Sequence, residues 1–114
     1  QTLYVTNASN HRIDVYRLDG TFVRSMGQVG SELGQFRFPY GLDIDAQGRL
    51  VVCEYGNNRV QLVDKQTGQG LATWGGPGRD AGQLAYPWAV AVDKSGRVVT
   101  IDSGNNRLQV FEFE

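Results

Sequence analysis

The sequence predicts an all-β fold made of repeated four-stranded antiparallel sheets, and three observations support that prediction. The phrase GNNRVQLV at 56–63 returns as GNNRLQVF at 104–111, with a looser copy, SNHRIDVY, at 9–16. Apolar residues within each repeat alternate with a period of two, which is typical of strands and not of helices. Fifteen glycines and the absence of a helical stripe leave little room for helices, because glycine is a poor helix former. A period in the forties with several strands per repeat indicates β-propeller blades.

Four apolar runs make up each repeat, and we label them a to d from the propeller axis outwards. Strand a follows a proline and ends at an aspartate; it is predicted at 40–45 and 88–93. Strand b begins at the arginine of a Gly-Arg pair and is predicted at 49–54 and 97–102, with a first copy at 3–6. Strand c begins at the arginine of the repeated phrase and occupies 12–17, 59–64 and 107–112. Strand d is predicted at about 21–26 and 70–74.

The strand order predicts a partial propeller that is open at both ends. The chain is predicted to run b-c-d, a-b-c-d, a-b-c, with blades at about 1–26, 40–74 and 88–114 in a single domain. Only the middle blade is complete in this prediction. Because a closed ring typically has four to eight blades, we expect the remaining blades to come from a longer chain or from other subunits.

The amino-acid composition argues against nucleic acid and membranes as partners. The 114 residues include eleven Lys and Arg and twelve Asp and Glu, for a net charge of −1, and the arginines are dispersed. This balance predicts no strong field towards nucleic acid or an anionic membrane. The longest apolar run, WAVAV at 88–92, is far too short to span a bilayer.

The residues around the repeated phrase resemble the NHL repeat. Asn10-His11-Arg12 is followed by a strand, a Gly-Gln-aromatic loop and the pattern P-x-G-hydrophobic-x-hydrophobic-Asp at 39–45. The resemblance covers nearly the whole chain and implies a propeller of six blades. The sequence departs from the pattern where Asn58 and Asn106 replace the histidine and where Ala89 replaces the glycine. The first departure indicates that the histidine position requires no imidazole chemistry.

The arginines of the repeated phrase are predicted to be structural. Arg12, Arg59 and Arg107 recur at spacings of 47 and 48 residues, and a feature present in every blade is rarely a unique active site. We expect Arg59 to bind Asp45 and Arg107 to bind Asp93, because the guanidinium fork suits a partly desolvated carboxylate.

Other candidate sites favour structural interpretations, and no metal or cofactor is predicted. His11 is the only histidine, which excludes a zinc site with several histidine ligands within this chain. Cys53 lies in a strand with nothing nearby to lower its pKa, so we expect a packing residue. Asp43 is a candidate lining residue of the axial channel, where a cation could sit, although its counterpart is Ala91. The glycine-rich loops at 27–34 and 75–82 lack a following helix, so we interpret them as crossovers between blades.

The d–a crossovers and b–c turns are expected to emerge on one face of the propeller and to form the candidate binding surface. Aromatic side chains beside arginine are enriched at binding hot spots. Tyr40 and Trp88 begin the inner strands and are the best candidates, whereas Phe36 and Tyr86 are expected to pack between blades. The candidate residues are Phe36, Arg37, Tyr40, Tyr55, Arg79, Tyr86 and Trp88.

These observations favour a protein-interaction or scaffolding module that presents this face to a protein partner. Two alternatives follow from the resemblance. Related propellers include metal-dependent hydrolases and a lyase, but this chain offers only Asp43 and Asp14 as unrepeated carboxylates. Some NHL domains bind single-stranded RNA on a basic face, and the even charge balance disfavours that function here.

Overall fold

A computed structural model describes residues 1–113 and contains three antiparallel sheets, which confirms the predicted all-β class. The first sheet has the order β1-β2-β3, the second β4-β5-β6-β7 and the third β10-β9-β8, and the three do not close into a ring. The strands are β1 (Thr2–Asn7), β2 (Arg12–Arg17), β3 (Phe22–Met26), β4 (Pro39–Ile44), β5 (Leu50–Glu54), β6 (Arg59–Val63), β7 (Gly70–Gly75), β8 (Pro87–Val92), β9 (Arg97–Asp102) and β10 (Arg107–Glu112). Glu114, the last residue of the predicted third blade, lies outside the described residues.

Strand a begins and ends one residue earlier than predicted, because its aspartate belongs to the following turn. The Asp45 carboxylate accepts hydrogen bonds from the backbone N–H groups of Gln47 (3.0 Å) and Arg49 (2.8 Å). Such side-chain bonds to the backbone two residues on are typical of Asp in tight turns. At the other end, Pro39 opens β4, a strand position that proline tolerates.

The hydrophobic core consists of two layers, one between each pair of adjacent sheets. The first layer packs Ile13, Val15 and Met26 of the first sheet against the second sheet, and the second packs the second sheet against the third. Each crossover contributes one fully buried side chain to its layer, Phe36 to the first and Leu84 to the second. The crossovers are therefore packed parts of the fold and not loose connections.

The inner strands of the second and third sheets approach closely at Gly41. A Cβ atom at this position would lie 2.8 Å from the Cα atom of Ala89, so the contact requires glycine. The Asp43 carboxylate joins the same two strands, since it accepts hydrogen bonds from the backbone N–H of Ile44 (2.8 Å) and of Val92 (2.8 Å). Asp43 therefore makes an interblade contact, which its counterpart Ala91 cannot make.

Cys53 is fully buried in the second sheet, and its Sγ atom is 3.8 Å from Oγ1 of Thr100 in the third sheet. Burial raises the pKa of the Cys53 thiol to about 12. Only the thiolate attacks an aromatic disulfide reagent, and the raised pKa leaves little thiolate at pH 8. We therefore expect folded protein at this pH to react with such a reagent at least about a hundredfold more slowly than protein unfolded in urea. Absorbance of the released aromatic thiol measures both rates. Equal rates in the two conditions would contradict this burial.

No helix within residues 1–113 has the length and apolar character needed to cross a membrane.

Candidate functional site

The d–a crossovers and the b–c turns lie together at one end of the sheets. The backbone N–H groups of Tyr55 and Gly56 donate to the carbonyls of Phe38 and Arg37, both at 3.0 Å. The next repeat has the equivalent contact, from Gly104 N–H to the Ala85 carbonyl at 2.8 Å. We call this end the crossover face; it comprises residues 8–11, 27–40, 55–58, 76–88 and 103–106, and so includes the first residues of β4 and β8.

The predicted partners of the repeated arginines are wrong. Arg59 Nε donates to Glu54 at 2.7 Å, and Arg107 Nε donates to Asp102 at the same distance. The predicted partners Asp45 and Asp93 instead bind Arg49 and Arg97, each at 2.8 Å. The reason is strand register. The first residue of strand c lies opposite the last residue of strand b, whereas the aspartate after strand a lies at the other end of the sheet.

The arginines also hold the crossovers against the sheets. Arg59 donates to the backbone carbonyls of Ser31 (2.7 Å), Glu32 (3.2 Å) and Gln35 (2.9 Å). Arg107 donates in the same way to the carbonyls of Asp80 (2.9 Å) and Gln83 (3.0 Å). These contacts use the guanidinium donors internally, which supports a structural role over anion binding.

Each carboxylate of these pairs lies at the centre of a polar network. Asp102 accepts from Arg107, from the Ala85 N–H (2.7 Å), from Asn105 (3.0 Å) and from Gln109 (3.1 Å). Burial alone would raise the pKa of Asp102, but these hydrogen bonds together hold it below its ordinary value. The carboxylate therefore stays ionised at neutral pH.

The first sheet contains the same network with two residue types exchanged. Asn7 stands where the other repeats have Glu54 and Asp102, and Asp14 stands where they have glutamine. Asp14 accepts from Arg12 Nε and from Asn7 Nδ2, both at 2.9 Å. The exchange keeps one carboxylate beside each arginine, as expected for a paired buried charge.

The histidine position of the phrase accepts a hydrogen bond from the crossover. The Phe38 N–H donates to His11 Nδ1 at 3.0 Å, and the Tyr86 N–H donates to Asn58 Oδ1 at 2.8 Å. The accepting residues have left-handed backbones, with φ of 57° at His11 and 53° at Asn58, a conformation in which His and Asn are enriched. An acceptor that tolerates this conformation is therefore what the position requires, which explains why asparagine replaces histidine.

Phe38 and Tyr86 also have left-handed backbones, with φ of 49° and 54°. Such a conformation is unusual for bulky side chains. Further contacts maintain it: the Phe38 carbonyl accepts from the Tyr55 N–H, and the Tyr86 carbonyl accepts from the Ser103 hydroxyl. Both aromatic side chains are exposed on the crossover face.

Four aromatic side chains form a connected surface on this face, which we call the aromatic cluster: Tyr40, Tyr55, Tyr86 and Trp88. The rings of Tyr40 and Trp88 stack with centroids 4.7 Å apart, and Tyr55 meets both edge-on at 5.4 and 5.8 Å. Tyr86 extends the cluster with its ring centroid 5.1 Å from that of Tyr55. Tyr40, Tyr86 and Trp88 are 38%, 54% and 52% exposed. The cluster joins the second and third sheets.

The structure confirms one expectation about the candidate residues, changes another and adds a residue. Phe36 packs between the first and second sheets, as expected, and because it is fully buried there it cannot contact a partner. Tyr86, which was expected to pack between blades, is more than half exposed. Phe38 was missed, although its position one residue before the proline of strand a matches that of Tyr86. Arg37 and Arg79 are both exposed on the crossover face.

Within residues 1–113, no three His, Cys, Asp or Glu side chains are grouped so that they could hold a metal ion.

The fold and this arrangement define the class as a repeat domain built from propeller blades. The NHL repeat model matches residues 36–61 and 84–111, and the chain belongs to the NHL repeat family. Over 65 residues, 57% of the chain, it is 34% identical to NHL repeat-containing protein 3 of Mus musculus and 32% identical to that of Homo sapiens. It spans 19% of the length of each. Protein lin-41 of Caenorhabditis elegans is 40% identical over 43 residues, which are 38% of the chain and 4% of that protein.

Proposed function

We propose that the chain is a protein-interaction module and that the aromatic cluster on the crossover face is its contact surface. The aromatic cluster is the observation that carries this proposal. Its rings pack on one another, and three of them remain more than a third exposed. Rigid aromatic side chains of this kind supply much of the affinity of protein interfaces.

The backbone supports the same proposal. Tyr86 is held in a conformation unfavourable for an aromatic residue by two hydrogen bonds, since its N–H donates to Asn58 and its carbonyl accepts from Ser103 in a different turn. Unfavourable backbone conformations that the surrounding structure maintains are concentrated at functional sites. Core packing does not require this conformation, since the Tyr86 ring lies at the surface.

Selection of peptides from a random display library on the immobilised chain tests this function. We expect the selected peptides to bind a Tyr40→Ala/Trp88→Ala double variant at least about tenfold more weakly, because truncation of hot-spot aromatic residues costs about 2 kcal/mol or more. Phe22→Ala is the matched control, since Phe22 is similarly exposed but lies in β3 outside the crossover face. Circular dichroism confirms that each variant is folded.

Two outcomes would contradict the proposed surface. Peptides could bind the double variant as tightly as the original chain. Alternatively, NMR shift changes could map to the a–b turns around Gly48 and Gly96, at the opposite end of the sheets.

A further inference from the structure

We propose that the aromatic cluster recognises a proline-rich protein segment in the polyproline II conformation. This inference rests on the proposed interaction function and names the chemistry of the partner. Three features of the crossover face carry it: the side-chain donors of the cluster, the commitment of the neighbouring amides, and the charge balance.

The cluster offers side-chain hydrogen-bond donors that are unpaired within the part of the chain that the structure describes. The hydroxyl groups of Tyr40, Tyr55 and Tyr86 and the indole N–H of Trp88 have no hydrogen-bond partner within residues 1–113. The contacts of Tyr40 with Thr6, and of Tyr86 with Asn58 and Ser103, involve their backbone atoms alone. Four donors are therefore free beside apolar ring surfaces, and they suit a ligand that presents acceptors and apolar groups together.

The amide groups of the two asparagines that follow the turn glycines Gly56 and Gly104 are already occupied. Asn57 Nδ2 donates to the Gly30 carbonyl (2.9 Å) and to Glu54 (2.7 Å). Asn105 Nδ2 donates to the Gly78 carbonyl (2.9 Å) and to Asp102 (3.0 Å). Asn58 Oδ1 accepts from the Tyr86 N–H. A ligand on this face therefore meets the aromatic donors, while the Nδ2 groups of Asn57 and Asn105 are already bound within the fold.

The charges of the crossover face balance. It carries Arg37 and Arg79 against Glu32 and Asp80. Single-stranded nucleic acid requires a positively charged groove as well as aromatic rings, and this face lacks that excess. An acidic or basic peptide would likewise gain little from a balanced face.

A polyproline II segment meets these conditions. Its backbone makes no internal hydrogen bonds, so its carbonyl groups point outward and can accept from tyrosine and tryptophan. Its pyrrolidine rings are uncharged and apolar, and its preformed backbone loses little entropy on binding. Aromatic-lined grooves recognise such segments in several unrelated domains. The stacked rings of Tyr40 and Trp88, with Tyr55 edge-on to both, provide an aromatic surface of the same chemistry.

Fluorescence anisotropy with dye-labelled ten-residue probes tests the proposal. We expect a proline decapeptide to bind at least tenfold more tightly than a Gly-Ser decapeptide. Trp88→Ala should weaken proline binding at least tenfold, and Trp88→Phe, which keeps a ring and removes the N–H donor, by a smaller factor. Phe22→Ala should leave it unchanged. Absence of a proline preference, or equal binding to the Trp88→Ala protein, would overturn the inference.

Experimental results that contradict polyproline II recognition can be distinguished from results that contradict the proposed interaction function. Library peptides that depend on Tyr40 and Trp88 but contain no excess of proline would leave the interaction surface in place and exclude polyproline II recognition. Tighter binding of a ten-residue polyuridine than of either peptide would overturn both.

Discussion

Replacing Arg59 by alanine is expected to lower the free energy of unfolding by about 3 kcal/mol. The Arg59 side chain is 12% exposed and its partner Glu54 is fully buried. Removing one member of a buried ion pair leaves an unpaired charge, which costs about 3–5 kcal/mol. Glu54 would retain its hydrogen bonds from Gln61 (2.9 Å) and Asn57 (2.7 Å), so we expect the lower end of that range.

The other two repeats supply matched comparisons. Arg107 is 32% exposed and binds two crossover carbonyls, and its replacement should cost about 2 kcal/mol. Arg12 is 41% exposed and has no crossover contact within the described residues, so solvent screening should limit the loss to about 1 kcal/mol or less. Urea denaturation of the three alanine variants measures the series. Equal losses would contradict this account, as would an Arg59→Ala protein that keeps its stability and loses peptide binding.

Sequence periodicity predicts the strands well but cannot choose the partner of each arginine. Asp45 and Glu54 both precede Arg59, and both have acidic counterparts, Asp93 and Asp102, one repeat later. Because both acidic residues recur at the same positions of the next repeat, the repeat pattern is consistent with either residue as the partner of the arginine. The choice depends on which end of the sheet each residue occupies, and this follows from antiparallel register. Placing the carboxylate at the end of strand b, opposite the arginine, would have given the correct partner.

The aromatic cluster shows a second limit of sequence analysis. Tyr40 and Trp88 could be predicted because each follows the proline that begins an inner strand. The exposure of Phe38 and Tyr86 could not be predicted, because it depends on a left-handed backbone that local propensity disfavours for bulky residues. Acceptors from neighbouring turns, His11 and Asn58, make that conformation possible. Tertiary contacts therefore determine which aromatic residues reach the surface.

Two apolar sheet faces of this chain are expected to be covered by further blades. Leu108 and Val110 on the third sheet are 64% and 59% exposed, whereas the equivalent Val60 and Leu62 of the second sheet are buried. On the first sheet, the half-exposed Leu3 and Val5 correspond to the fully buried Leu50 and Val52.

The same positions are thus core residues inside the molecule and surface residues at its two ends, and contiguous apolar surface of this kind favours association. We propose that further repeats, from a longer chain or from other subunits, pack on both faces.

The isolated 114-residue chain should therefore self-associate and bind a hydrophobic dye. A Leu108→Ser/Val110→Ser double variant should reduce both effects and change the stability of the fold by no more than about 0.5 kcal/mol, because these side chains lie at the surface. The equivalent Val60→Ser/Leu62→Ser variant should unfold the chain, since it places two hydroxyl groups in the core. Analytical ultracentrifugation measures the association. Two open apolar faces are not expected in a compact monomer that melts in one sharp transition and binds no dye. That result would contradict the prediction and show that the three sheets are stable without further blades.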